Sequence, residues 1–186
     1  MTPDEAVVVV LDSLETSGIS SMIVGSLASN VHGIPRSTRD ADFVVELSPG
    51  SLERLTRALA PPLRLQLQGS FETVTGTTRY IIELLSDPFV CELFALSDDP
   101  HDQERFKRRR RVRVLNRDAF VASAEDMIVT KLRWAADARR TKDREDIRNI
   151  LAVRGPELDW EYLRRWSMTH GTSELLEDIR ASIPPM

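Results

Sequence analysis

The sequence predicts an α+β fold: a mixed β-sheet with flanking helices, followed by a helical C-terminal third. Three observations predict it. Residues 4–16 place apolar Ala6, Val7, Val10, Leu11 and Leu14 at helical spacing. Residues 40–47 and the stretch from about 63 to 95 carry short strand-like runs broken by Gly, Pro and Asp. Beyond Ser123 the apolar residues recur at helical intervals. Strands and helices are thus segregated, which argues against an alternating parallel sheet.

Taken in order, the first helix closes near Gly18, and Met22-Ile23-Val24 reads as a short strand ending at Gly25. Leu27 to His32 forms the next helix, with Gly33 as its stop. Pro35 starts a turn, and Asp40 to Leu47 alternates with the period of two that a strand requires. Pro49-Gly50 breaks the chain before a helix over Leu52 to Leu59, itself stopped by Pro61-Pro62. Strand-like segments follow at Leu63/Leu65/Leu67, Thr73 to Thr75, Tyr80 to Leu84 and Phe89 to Leu96. Val112 to Leu115 is a candidate last strand, and helices read over 124–138, 142–153, 159–168 and 173–182.

A length of 186 residues suits one domain with a helical extension. The expected division is a core over 1–122 and a helical segment over 123–186, packed on it as a single compact unit. A hydrophobic fraction of 41% with 29% charged residues is that of a soluble globular protein. No apolar run reaches the roughly 18 residues that span a bilayer, and the acidic N-terminus lacks the layout of a secretory signal. The single Cys91 precludes an internal disulfide, so the expected compartment is the cytoplasm.

Several chemistries find no support. His32, His101 and His170 are scattered, without zinc-ligand spacing. There is no Gly-x-x-x-x-Gly-Lys loop and no Gly-x-Ser-x-Gly elbow. Cys91 sits in an apolar run and reads as core. The net charge of −4 speaks against wholesale coating of nucleic acid. One run, Lys107 to Arg113, nevertheless holds six positive residues in seven. It reads either as a solvated face balanced by Asp98, Asp99, Asp102 and Glu104, or as a contact for nucleic-acid phosphates.

The informative stretch runs from Ile23-Val24-Gly25-Ser26 to Arg36-Ser37-Thr38-Arg39-Asp40-Ala41-Asp42. In a strand, Asp40 and Asp42 project from one face about 7 Å apart, because the rise is roughly 3.3 Å per residue. Aspartate is depleted in strands, so two on one face need a reason. Paired hard oxygen donors suit Mg²⁺, which takes one or two carboxylates plus substrate phosphates. A Gly-Ser at a strand-to-helix junction offers backbone N–H groups to a phosphate chain. Either feature alone is a turn or a solvated face; together, in this order, they fit phosphoryl or nucleotidyl transfer.

A third carboxylate is expected from a neighbouring strand. Glu92 interrupts the apolar Phe89-to-Phe94 run, which is costly unless it is paired or metal-bound. Glu83 is its rival, and an edge-facing, solvated Glu92 is the structural alternative. Lys131, one of only three lysines, lies on or beside the apolar face of its helix with Met127, Ile128, Leu132 and Ala135. It either snorkels or reaches a nucleotide's phosphates. Asp143 and Asp146 stand one turn apart in the next helix, and Asp143 reads as a solvated charge at a helix N-terminus.

These residues resemble the core signature of the DNA polymerase beta-like nucleotidyltransferase superfamily: Gly25-Ser26, then Arg36-x-Thr38-x-Asp40-x-Asp42. Two later segments are similar to the minimal bacterial nucleotidyltransferases of the AbiEii toxin-like branch. They are Glu125-Asp126 to Lys131-Leu132, followed by Asp146-Ile147, and the Leu158 to Trp166 stretch. The similarity spans roughly residues 20 to 170. It implies a nucleotidyltransferase-type sheet. Gly25, Ser26, Arg36, Thr38 and Lys131 would face the nucleotide. Asp40, Asp42 and Glu92 would hold Mg²⁺ or Mn²⁺. Asp40, Asp42, Glu92, Lys131 and Asp146 would form the catalytic set, with Asp146 orienting the lysine or the acceptor. The implied partners are an NTP, a tRNA or other RNA acceptor and an antitoxin protein. Relatives usually carry Asp where this chain has Glu92, so the third carboxylate stands on a longer arm. That departure motivates a second reading: a nucleotidyltransferase-fold module that binds nucleotide or RNA with little or no turnover.

Overall fold

The computed structural model describes residues 1–138 and 141–184. Among these the strands are β1 (Ser21–Val24), β2 (Asp40–Val45), β3 (Leu63–Glu72), β4 (Thr77–Leu84), β5 (Val90–Ala95), β6 (Arg110–Val114) and β7 (Arg117–Val121). The helices are α1 (Pro3–Thr16), α2 (Gly25–His32), α3 (Ser51–Ala58), α4 (Pro100–Arg108), α5 (Ala124–Ala138), α6 (Thr141–Arg154), α7 (Trp160–Thr169) and α8 (Ser173–Ala181). The strands form one sheet in the order β3-β4-β5-β2-β1-β7-β6. It is mixed, with β2–β5 and β1–β7 parallel and the other pairs antiparallel. The α+β expectation holds. Among the described residues no helix is long and apolar enough to cross a membrane.

The chain divides into two compact units. The first comprises Met1–Leu27 and Ser37–Ala122 and contains the sheet with α1, α3 and α4. The second comprises Ala28–Arg36 and Ser123–Met186 and is helical.

In the first unit, register decides which side chains share a face. Ala41 and Phe43 of β2 stand level with Cys91 and Leu93 of β5, and Ile82 of β4 with Leu65 of β3. Ile23 pairs with Phe43 and with Val121. All of these are buried and form one apolar face. Burial of a side chain such as Phe43 contributes about 1.5–3 kcal/mol. Helix α1 starts on a capping box, Thr2 with Glu5, and Pro3 occupies its first turn. Its apolar stripe, Ala6 to Leu14, is buried, and α3 packs on it through the buried Leu55.

Three elements depart from the sequence reading. Thr73 to Thr75 is the turn between β3 and β4, where Glu72 accepts from the backbone N–H groups of Val74 and Thr75. Helix α4 was not expected, although Asp99 caps it and Pro100 opens it. Its charged sequence hides the signal, since Phe106 is its one large apolar side chain. Strand β7 was also not expected. It follows a tight reversal at Leu115 and Asn116, whose φ values of 50° and 61° suit a hairpin but carry no glycine.

The helical unit is built around Met127, Ile128 and Leu132 of α5, Ile147 and Ile150 of α6, and Leu163 of α7, all fully buried or nearly so. Asp126, also buried, accepts hydrogen bonds from Ser123 and from the Tyr162 hydroxyl, which ties α7 to α5. Asp159 caps α7, and its own N–H donates to Glu125 at 3.1 Å. The Glu125-Asp126 pair and the Leu158-to-Trp166 stretch therefore meet.

Candidate active site

The apolar face of the sheet is the reverse side of the candidate site. Because side chains alternate, burying Ala41 and Phe43 turns Asp40 and Asp42 to the opposite face, where both remain half-buried. Register adds their neighbours. Asp42 stands level with Val24 of β1 and with Glu92 of β5, and Asp40 with Val90. Strands lie about 4.8 Å apart, so Asp42 and Glu92 are direct cross-strand neighbours.

Gly25 follows Val24 at the β1–α2 junction with φ +61°, a conformation that favours glycine. A Cβ at this position would lie 1.8 Å from Oδ2 of Asp42. The Gly25 backbone thus packs directly on the Asp42 carboxylate where α2 begins, and half-buried Ser26 lies in the same first turn. Thr38 is half-buried in the segment leading into β2.

Glu92 is not solvated at an edge: β5 lies between β4 and β2. It is ion-paired instead. Nη1 of Arg79 donates to both of its carboxylate oxygens, at 3.2 and 3.3 Å. Glu83 stands one strand farther, level with Val90, and is engaged by Arg64 at 2.8 Å and Gln66 at 2.6 Å. The hydrogen bond from Arg64 is the main reason its carboxyl sits below the usual range. Among the described residues, no three His, Cys, Asp or Glu side chains are gathered to hold a metal ion. The donor set still fits a hard cation. Asp40 and Asp42 supply the one or two carboxylates that Mg²⁺ takes when substrate phosphates and water complete its shell.

The remaining predicted residues belong to the helical unit and meet one another. Lys131 is 6% exposed, and its ammonium lies 2.9 Å from Asp143 and 2.8 Å from Asp146. It does not snorkel. Asp143 is correspondingly not a solvated helix-end charge: it is buried, because a lysine ammonium at that depth requires counter-charge. Nε and Nη2 of Arg36 grip both oxygens of Asp146 at 2.9 Å each, in a bidentate fork. Asn30 fixes the Arg36 backbone through reciprocal bonds of 2.7 and 3.0 Å. Burial works to raise the Asp146 carboxyl, but Arg36 and Lys131 outweigh it and hold it below the usual range.

Arg79 and Asp143 were missed as participants. The signal for Asp143 was the lysine on an apolar face. Arg79 had no signal, because its register with β5 depends on the β3–β4 turn. The basic run divides among several roles. Arg109 lies over the rings of Phe106 and Phe120, at 4.1 and 4.8 Å, while Arg111 and Arg113 flank Asp118 of β7 at 4.0 and 3.5 Å. Of the acids expected to balance the run, Asp99 caps α4 and Asp102 is buried against Arg105.

Solved structures share this arrangement. The solution structure of the antibiotic-resistance factor ANT(2'')-Ia aligns with a TM-score of 0.64 at 14% identity, over 96% of each chain. A crystal structure of ANT(2'')-Ia in complex with adenylyl-2''-tobramycin gives 0.63 at 14%, over 94% of this chain and 99% of that one. An antigenic nucleotidyltransferase-like protein from Paracoccidioides brasiliensis gives 0.54 at 17%, over 98% of this chain and 94% of that one. No protein-family model matches the chain, and a search of curated proteins finds no match. With a seven-stranded mixed sheet that carries Asp40 and Asp42 on the face opposite its apolar side, the chain has the nucleotidyltransferase fold.

Proposed function

We propose that this chain is a metal-dependent nucleotidyltransferase that moves an NMP from an NTP to an acceptor hydroxyl. One observation carries the reading: Asp42 lies between Glu92 on the next strand and the Gly25 backbone where α2 begins, with Asp40 on the same face. Asp40 and Asp42 would hold Mg²⁺ or Mn²⁺, which supplies charge stabilisation for the attacking and leaving oxygens. Gly25 and Ser26 would receive the phosphates at the helix N-terminus. Thr38 would add a hydroxyl contact, and Arg36 and Lys131 are the positive groups the helical unit offers to phosphate. Asp146 orients both of these cations. The acceptor oxygen attacks the α-phosphorus, the bond to the β-phosphate oxygen breaks, and pyrophosphate leaves with the electron pair. The acceptor proton passes to a carboxylate or to water.

The test is pyrophosphate release from labelled NTPs, with Mg²⁺ or Mn²⁺ and a mixed acceptor pool. Turnover present in the wild type and absent in Asp40→Asn/Asp42→Asn supports the reading; equal rates in both end it. ANT(2'')-Ia has been captured with an adenylylated tobramycin, so a small aminoglycoside belongs in that pool beside RNA. The resemblance to AbiEii-like toxins and the Lys107-to-Arg113 run are the support for a tRNA or other RNA acceptor, a toxin-like context in the cytoplasm and a partner antitoxin. Steep loss of RNA binding with salt is the corresponding test.

A second reading is a nucleotidyltransferase-fold module that binds nucleotide or RNA with little turnover. The Arg79–Glu92 pair favours it, since the third carboxylate already has a partner. Tight NTP binding without pyrophosphate release from any acceptor would select it.

A further inference from the structure

Glu92 stands between two neighbours of opposite character. On one side β2 places Asp42 level with it. On the other, β4 places Arg79 level with Phe94, and the guanidinium crosses diagonally to Glu92. That guanidinium is itself steadied from β3, because its Nε donates to Ser70 Oγ at 3.2 Å. Adjacent carboxylates on paired strands repel, and the guanidinium gives Glu92 a partner on the side away from Asp42. An aspartate here would be one methylene shorter. The longer arm gives Glu92 the reach to lean either way. The pair is also only part-buried, with side-chain exposures of 35% for Arg79 and 20% for Glu92. Such pairs are weak, so one is readily exchanged for another.

We propose that Arg79 is a positioning residue that holds Glu92 away from Asp40 and Asp42, and that Glu92 leaves Arg79 to join a divalent cation bound by that pair. The proposal rests on the reading of Asp40 and Asp42 as the cation's ligands. Glu92 is then an exchangeable third arm, and the affinity of the site for a cation includes the cost of releasing Arg79. Removing the guanidinium removes that cost only while Glu92 retains its charge.

The experiment is calorimetric titration of Mn²⁺ alone into the wild type, Arg79→Gln, Glu92→Gln, Arg79→Gln/Glu92→Gln and Asp40→Asn/Asp42→Asn. Arg79→Gln is expected to lower the Mn²⁺ dissociation constant about two- to fivefold, the range that a weak ion pair sets. In the Glu92→Gln background the same change is expected to give no gain. An unchanged or weaker Mn²⁺ affinity in Arg79→Gln overturns the proposal. So does a gain of equal size in the Glu92→Gln background, because it would reflect net charge and not Glu92. If Asp40→Asn/Asp42→Asn binds Mn²⁺ as the wild type does, the carboxylate reading fails and takes the proposal with it. Loss of binding in that variant, with Arg79→Gln unmoved, overturns the proposal alone.

Discussion

Oδ2 of Asp42 lies 1.8 Å from the point where a Cβ on residue 25 would stand, so Gly25 and Asp42 are fitted to each other at the level of single atoms. Gly25 also has φ +61°, which an L-residue adopts only at a cost of about 1–3 kcal/mol. The two effects act on different quantities. Backbone strain lowers stability, and the new methyl displaces the carboxylate. Gly25→Ala is therefore expected to lose about 1–3 kcal/mol of unfolding free energy in urea and, separately, the Mn²⁺ binding assigned to Asp42. A stable variant with unaltered Mn²⁺ affinity would show that the Gly25 backbone does not approach Asp42 as described.

The period-two pattern at Asp40 to Val45 was enough to place two carboxylates on one face and Phe43 on the other. The helical spacing after Ser123 likewise marked α5 to α8 closely, because long periodic helices leave the strongest signal. What was not legible was set by pairing. The reversal at Leu115-Asn116 carries no glycine, so β7 merged with the basic run. Arg79 approaches Glu92 only because the β4–β5 register brings it there, and nothing local to Arg79 encodes that register. Asp143 looked like a helix-end charge until Lys131 was seen to be buried against it.

Lys131 joins Asp143 of α6 to Asp146 one turn on, with its ammonium removed from solvent. Deleting one member of a buried ion cluster leaves uncompensated charge and costs about 3–5 kcal/mol. Lys131→Met is expected to fall in that range by urea denaturation, with Asp143 losing its only lysine and Asp146 keeping Arg36. Adding Asp143→Asn should recover part of the loss, because the uncompensated carboxylate goes with it. A Lys131→Met variant within about 0.5 kcal/mol of wild type would mean that the lysine is solvated and the cluster is not formed.

Acid should expose the same cluster. Asp146 is held below its ordinary value of 3.8, since Arg36 and Lys131 together overcome the effect of burial. As pH falls, the unfolded chain takes up this proton first. The stability contributed by Asp146 is thus complete above about 3.8 and is lost as pH drops through the lowered native value. Urea unfolding from about pH 6 to about pH 2 is expected to show a steeper decline in the wild type than in Asp146→Asn. The variant should also be the less stable of the two at neutral pH. Parallel curves would mean that neither cation holds this carboxylate.

Cys91 lies beside Glu92 in β5 yet takes no part in the chemistry assigned to that strand. It is 1% exposed, on the apolar face between Ala41 and Ile82. Burial pushes its thiol up to about 12, and the Asp42 charge adds to the shift. The thiolate is the reactive form, so the native protein should hardly react with a thiol reagent at about pH 8, while one thiol per chain appears on unfolding. Labelling is therefore expected to follow the rate of unfolding, rising with urea as the folded fraction falls. Burial is the larger cause of the shift, so Asp42→Asn should leave the native thiol protected and not release it. Rapid labelling of the folded wild type would place Cys91 at the surface and reverse the assignment of the sheet's two faces, moving Asp40 and Asp42 into the core.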